Sequence, residues 1–281
     1  MIRAIYEALD GMGFEKGNIL EPSMGVGNFF GMLPDSMLGS RLYGVELDSI
    51  TGRIAQKLYP QAEIKVAGFE TTDRRDFYDL AVGNVPFGNY RVSDKPMINS
   101  DFLSTTISLP STGSGSSRWH RGLCYQPLYD GFQESGCTKY LAQRAELLGA
   151  IRLPNNAFRA NAGTDVVSDI IFLQKRDHPI DIEPDWVHLG LTSEGITLNS
   201  YFVDHPEMVL GEITTESTQY GKEECTVIPI PDEDLGDQLH EAVQHIGGHY
   251  EAQELAPEEE LSLQGETIPA DPNVKNFSYA V

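Results

Sequence analysis

Glu21, Pro22, Ser23, Met24, Gly25 and Gly27, in the run NILEPSMGVGNFFG, are the densest group of residues whose types and spacing could do chemistry. The apolar NIL before Glu21 has strand character, and Pro22 turns the chain. Gly25 and Gly27 let backbone approach a ligand where a Cβ would clash, and Phe29 and Phe30 enter a helix that packs on the sheet. The run is not a dinucleotide fingerprint, because Phe30 stands where Gly or Ala is needed, and no Gly-Lys-Ser/Thr follows as in a phosphate-binding loop. A nucleotide-like cofactor without a pyrophosphate suits it. Alone, the run reads equally well as a glycine-rich turn with no ligand.

A second run, LYGVELD, ends in Glu46 roughly 20 residues after the glycines, where α/β cofactor folds place a carboxylate on the ribose hydroxyls. Asp48 is a second candidate contact, or the cap of the helix that starts near Ser49. The third run is DLAVGNVPFGNY. Asn84 offers an amide oxygen, Val85 follows, Pro86 removes a donor and fixes the backbone, and Phe87 offers a ring face. Placed at the carboxyl edge of a sheet, this set suits an amino group on a planar ring. Asn84 and the Pro86 carbonyl accept from the NH2, drawing its lone pair out of conjugation, while Phe87 stacks on the base. A turn built from Asn, Pro and Gly is the plain alternative.

These three runs need a scaffold of alternating strands and helices. Ile2, Ile5, Leu9 and Met12 recur at helical spacing before Gly13 and Gly17, which predicts a short amphipathic first helix. NIL, RLYGVELD, AEIKVAG and DLAVGN are four strand candidates bounded by turn residues, and SITGRIAQKLYP is a helix, so the first 90 residues read as consecutive βα units with a parallel sheet. KYLAQRAELLGAIR reads as a helix running into a strand, and VVSDIIFLQK as a further strand rich in β-branched residues. Between the first 90 residues and these two runs, residues 103–138 are rich in Ser, Thr and Gly and show neither period. So long a structureless stretch is foreign to a compact α/β domain.

The chain has 281 residues and a net charge of -22, which looks wrong for a nucleic-acid binder until the charge is divided. Residues 1–176 hold 18 basic and 19 acidic residues; residues 177–281 hold 2 and 23. A near-neutral folded part can keep a local basic face for phosphates, whereas the acidic part reads as a solvated extension or linker containing one helix, DQLHEAVQHI. No apolar run is long enough for a membrane span, and Glu7 and Asp10 interrupt any signal peptide, so a cytoplasmic location is expected. Cys124, Cys137 and Cys225 lack metal or disulfide spacing, and Gly247 and Gly248 break the helix that would pair His245 with His249, so no metal is assigned.

In motif order and spacing, EPSMGVGNFF, GVELD and GNVPFG together resemble the S-adenosylmethionine-dependent N6-adenine methyltransferases of DNA. LAQRAELLGAIRLPNNAF and GTDVVSDIIFLQK are similar to the closing helix and last two strands of that fold, so the resemblance covers residues 1–178. It implies a Rossmann-like class I methyltransferase fold, a doubly wound α/β domain with a mostly parallel sheet, followed by an acidic extension over residues 179–281. It places Glu21 to Gly27 around the methionine moiety of S-adenosylmethionine, Glu46 on its ribose, and Asn84, Val85, Pro86 and Phe87 as the catalytic tetrapeptide gripping a flipped adenine. The extension is similar to sequences joining such methylase domains to a helicase in large proteins of mobile elements, so a fused or downstream helicase is an expected partner.

The chain departs from that family in three places. Val85 stands where Pro is usual, the aromatic-Thr-Pro motif that precedes the first helix lies upstream of Met1, and residues 103–138 lack the family's helix and fifth strand. Displaced reading frames through Ser104 to Pro110 and Thr112 to Cys137 can be read as those elements, which predicts a frame-scrambled segment, an incomplete sheet and a crippled enzyme. The rival readings are methyl transfer to an RNA base or a glutamine amide, whose NH2 the same tetrapeptide can hold, and a non-catalytic cofactor-binding fragment.

Overall fold

The computed structural model describes residues 1–69, 77–84, 121–125, 136–163, 165–176, 178–217 and 223–250. Helix α1 (Ile2–Gly11) buries Ala4, Ile5, Ala8 and Leu9 at helical spacing, together with Tyr6, and ends where Gly13 takes φ +85°. Strand β1 (Asn18–Glu21) is buried at every residue, as a strand with neighbours on both sides and layers on both faces must be. It is followed by α2 (Asn28–Gly31), β2 (Arg41–Glu46), α3 (Ser49–Leu58), β3 (Glu63–Val66) and β4 (Leu80–Ala81). Then come β5 (Arg121–Tyr125), α4 (Gly136–Arg144), β6 (Ala145–Leu153), α5 (Arg159–Ala162) and β7 (Ser168–Lys175).

Seven strands form one sheet in the order β3-β2-β1-β4-β5-β7-β6. The pairs among β1 to β5 are parallel, and β7 runs antiparallel to both β5 and β6. Alternate residues of β1 serve opposite faces. Ile19 joins the main core with Leu9 and Leu80, and Leu20 joins a smaller cluster with Val45, Tyr78 and Ala81. The βα alternation expected of residues 1–90 is thus present wherever those residues are described.

Two expectations are corrected. The fifth position of the sheet is occupied: RGLCY forms β5, pairing Leu80 with Arg121 on one side and Tyr125 with Ile170 on the other, and α4 begins at Gly136. Strand pairing is made by backbone groups, so a five-residue stretch completes the ladder without the long apolar run that sequence patterning looks for. The sheet is therefore not incomplete. The rest of the suspected frame-scrambled segment, through Ser135, lies outside the described residues.

Nor is the chain after residue 178 mostly linker. Strands β8 (Leu189–Leu191) and β9 (Thr197–Asn199) form a hairpin, α6 (Ser200–Asp204) follows, β10 (Glu212–Ser217) pairs with β11 (Glu223–Ile228), and α7 (Leu235–Val243) closes the described part. Leu198, Phe202, Met208, Val227, Leu239 and Tyr250 are buried in the same core as Leu9, Ile151 and Ile170. The acidic residues that suggested a solvated tail stay outside: Glu212 and Glu216 are exposed while Ile213 and Val227, paired across the hairpin, turn inward. Asn199 and Asp234 cap α6 and α7 with their side-chain oxygens. Residues 251–281 of the predicted extension lie outside the described residues. Among the described residues no helix is long and apolar enough to cross a membrane.

Where this C-terminal part meets the sheet, the sheet holds a buried ion pair. Arg152 of β6 donates from Nε and Nη2 to the two carboxylate oxygens of Asp169 on β7, at 2.8 and 3.0 Å, with both side chains almost fully buried. The guanidinium lies 4.7 Å from the ring centroid of Phe202, and the Arg152 carbonyl accepts from Leu210 N–H at 2.9 Å. Removing one partner leaves an uncompensated buried charge, which costs about 3–5 kcal/mol. Asp169→Ala should therefore lose about that much in urea unfolding, and Arg152→Met combined with Asp169→Leu should lose clearly less than the single change.

Candidate cofactor and substrate site

The loop after β1 is held by its neighbours rather than by regular structure. Met24 N–H donates to the Val45 carbonyl at 3.0 Å, and Gly27 N–H closes a turn on the Met24 carbonyl at 2.8 Å. Gly25 and Gly27 adopt φ of +55° and +84°, a left-handed conformation that disfavours a side chain. Among the described residues, no atom beyond its chain neighbours lies within 4 Å of a Cβ placed on Gly25, so they leave the space above that residue open. Ser23 is exposed on the same loop, whereas Pro22 is buried and Met24 packs beneath the loop against Phe30, Ala55 and Ile64. Met24 thus shapes the loop from below.

Glu46, at the end of β2, binds the loop directly. Its Oε2 accepts from Gly25 N–H at 2.7 Å and its Oε1 from Asp48 N–H at 2.8 Å, which puts a carboxylate at the rim of the open space. Asp48 turns the other way and caps α3, accepting from Thr51 N–H and Thr51 Oγ1 at 2.7 and 2.6 Å. Those bonds hold its carboxyl below the usual range.

Glu21 is the unusual member. It is 2% exposed, and its Oε2 has no hydrogen-bond partner among the described residues. Burial raises its pKa to about 8, partly opposed by the backbone N–H groups of Phe29 and Phe30 and reinforced by the charge of Glu46. A buried polar oxygen left without a partner costs free energy.

Asn84 lies three residues beyond β4 and is exposed. Val82 N–H still donates to the Leu20 carbonyl at 2.9 Å, so the segment runs beside β1 as far as its end. A Cβ on Gly83 would stand 3.3 Å from Cδ of Pro22. The glycine loop and the Asn84 segment therefore touch at Pro22 and Gly83, on the carboxyl edge where α/β sheets bind ligands. Val85, Pro86 and Phe87 lie outside the described residues.

Tyr6 escaped the sequence reading. Its buried hydroxyl donates to the Phe29 carbonyl at 3.0 Å and its ring meets Phe29 edge-on at 6.2 Å. A tyrosine on the apolar stripe of an amphipathic helix must find a partner for its hydroxyl, and that was the available signal.

A parallel sheet with one antiparallel strand inserted next to its last edge, a glycine loop after the central strand and an acid ending the next one decide the architecture. This is the class I methyltransferase fold. No family profile matches the chain. Its sequence relatives include the Defense against restriction protein B of Escherichia phage P1, 32% identical over 185 residues, which make up 63% of this chain and 8% of the phage protein. Another is the Type II methyltransferase M.CvrRI of Paramecium bursaria Chlorella virus XZ-6E, 38% identical over 74 residues, or 26% of this chain and 19% of that protein. The chain thus spans less than a fifth of either relative. Among solved structures, it is similar to one from Vibrio vulnificus YJ016 described as the modification subunit of a type I restriction enzyme. That likeness has 16% identity and a TM-score of 0.47, covering 81% of this chain and 57% of the other.

In this methyltransferase fold the protonation of Glu21 becomes measurable. Its ordinary value is 4.5, so between about pH 4.5 and 8 the native state keeps a proton that the unfolded chain has lost. Stability contributed by the neutral form is present at low pH and falls as pH rises through that window, by up to about 1.4 kcal/mol per pH unit. Glu21→Gln should flatten this dependence, so urea unfolding of both proteins at about pH 5, 6.5 and 8 should show a difference that grows with pH in favour of the variant.

Proposed function

We propose that this chain transfers the methyl group of S-adenosylmethionine to the N6 amine of adenine in DNA, with the base turned out of the duplex to reach the site. The observation that carries this reading is the contact of Pro22 with Gly83, which puts the glycine loop, Glu46 and Asn84 on one rim. The relatives named for type II methyltransferase activity and for defense against restriction support DNA as the substrate. A helicase segment in the same polypeptide and a cytoplasmic location belong to the same reading.

The residues present fit the cofactor. Among the described residues, the open space above Gly25 favours it, the Glu46 carboxylate suits its ribose hydroxyls, and the unpartnered Glu21 oxygen suits its methionine end. When bound, S-adenosylmethionine would supply a methyl carbon that a nitrogen lone pair attacks without a strong base, with the sulfur leaving as the neutral thioether of S-adenosylhomocysteine.

The chain's own part is orientation. In this reading the Asn84 side-chain oxygen accepts from one N–H of the exocyclic NH2, the Pro86 carbonyl accepts from the other, and Phe87 stacks on the flipped base. Accepting from both N–H bonds draws the nitrogen lone pair out of ring conjugation and localises it toward the methyl group, and the surplus proton leaves to water. Val85 contributes backbone alone, which is why it can replace the usual proline.

Glu46→Ala removes charge-assisted bonds worth about 1.5–3 kcal/mol each, so calorimetry should show S-adenosylmethionine bound at least tenfold more weakly. Asn84→Ala should abolish methyl transfer and leave cofactor affinity unchanged. Tritiated methyl transfer offered to DNA, RNA and protein should label adenine in DNA; label confined to RNA or protein would refute the substrate assignment.

A further inference from the structure

Tyr59 follows α3 as its C-terminal cap and is followed by Pro60, which stops the helix there. From this position its hydroxyl donates to the Gly27 carbonyl at 2.8 Å, across 32 residues of sequence. Its ring meets Phe30 edge-on at 5.7 Å. The ring also fills the space beside two glycines. A Cβ on Gly27 would stand 2.5 Å from Tyr59 Cε2, and one on Gly31 would stand 2.8 Å from the hydroxyl oxygen.

The bonded carbonyl matters more than most. Gly27 is the N-cap of α2, and the same oxygen accepts the first helical hydrogen bond, from Gly31 N–H at 3.0 Å. Four residues of helix have little stability of their own, because nucleation uses up what a single turn gains. Gly27 has no side-chain cap, and its backbone is left-handed, so it has many conformations to lose. A donor fixed on a separate helix restricts the carbonyl and with it the direction of the Gly25–Gly27 segment. The phenol stays a donor at neutral pH, since burial and then the charge of Glu21 both push its pKa up.

We propose that Tyr59 is a positioning residue: its hydroxyl holds the glycine loop in the shape that binds the cofactor, without touching the cofactor itself. The proposal rests on the cofactor reading above for its effect on affinity, but the hold on the loop exists without ligand. Tyr6 makes a similar bond to the Phe29 carbonyl from a buried position in the core, so its loss falls on stability. Tyr59 is only half-buried, and replacing its hydroxyl leaves the Gly27 carbonyl its bond from Gly31.

Tyr59→Phe keeps the ring and removes the hydroxyl, and three quantities are compared with the parent. Affinity for S-adenosylmethionine and for the product S-adenosylhomocysteine should both fall about fivefold, the worth of one neutral hydrogen bond. Exchange of the Gly31 amide in the ligand-free protein should quicken by a similar factor. The thermal midpoint should move by less than about 4 °C. Unchanged exchange overturns the proposal, whether or not affinity changes, because weaker binding with an undisturbed loop would place the hydroxyl on the ligand. A midpoint lowered by more than about 10 °C overturns it too, by making the role structural. If the parent binds neither ligand, the cofactor reading fails, and the Gly31 amide alone decides whether Tyr59 holds the loop.

Discussion

The loop between β1 and α2 must pair its buried peptide groups without belonging to a strand or a helix, and this constraint organises the first 60 residues. Backbone supplies two bonds, from Met24 N–H to the Val45 carbonyl and from Gly27 N–H to the Met24 carbonyl. Side chains from separate elements supply further ones. Glu46 at the end of β2 takes the Gly25 N–H, Glu21 at the end of β1 faces the N–H groups of Phe29 and Phe30, and Tyr6 on α1 reaches the Phe29 carbonyl. Tyr59 beyond α3 reaches the Gly27 carbonyl. The loop is shaped by everything around it, so its geometry can survive while its ligand-facing side stays bare.

The same principle of shared support governs the far edge of the sheet. β6 is an edge strand whose exposed side would otherwise offer unpaired backbone to other chains. Residues 198–217 and 223–250 cover that side: Leu210 N–H bonds the Arg152 carbonyl, Val227 accepts from Asn155 N–H at 2.8 Å, and Gly247 N–H bonds the Leu148 carbonyl at 3.2 Å. The buried Arg152 and Asp169 pair, stacked beneath Phe202, sets where this cover docks, since a charge pair out of water tolerates little displacement. Acidic side chains such as Glu212 and Glu216 stay exposed on this cover.

Much of the site was legible because its chemistry is local. Glycines with positive φ, an acid closing each of two neighbouring strands and an Asn after a third strand can be read as spacing alone. Asp48 was legible as a cap, since an Asp before a helix start is itself a local pattern. What escaped depends on tertiary contact. No spacing tells that Tyr59 reaches across 32 residues to one carbonyl, or that Met24 turns under the loop. The cover over β6 was misread for a different reason. Charge summed over a window hides the alternation by which Ile213 and Val227 face inward while Glu212 and Glu216 face out. β5 was hidden because ladder pairing is a property of backbone, to which composition is blind.

Helix α7 lies along α1, with Gln244 and His240 bonded to Glu7 and the Tyr250 N–H bonded to the Met12 carbonyl. Contacts between residues so far apart in sequence form late and slowly. Ile5, Leu9 and Met12 share one core with Leu239, Ala242 and Val243 of α7, so loosening α7 would also loosen the helix from which Tyr6 holds the Phe29 carbonyl. A brace of the glycine loop is thus itself braced from a helix 237 residues away in sequence at the Glu7–Gln244 bond.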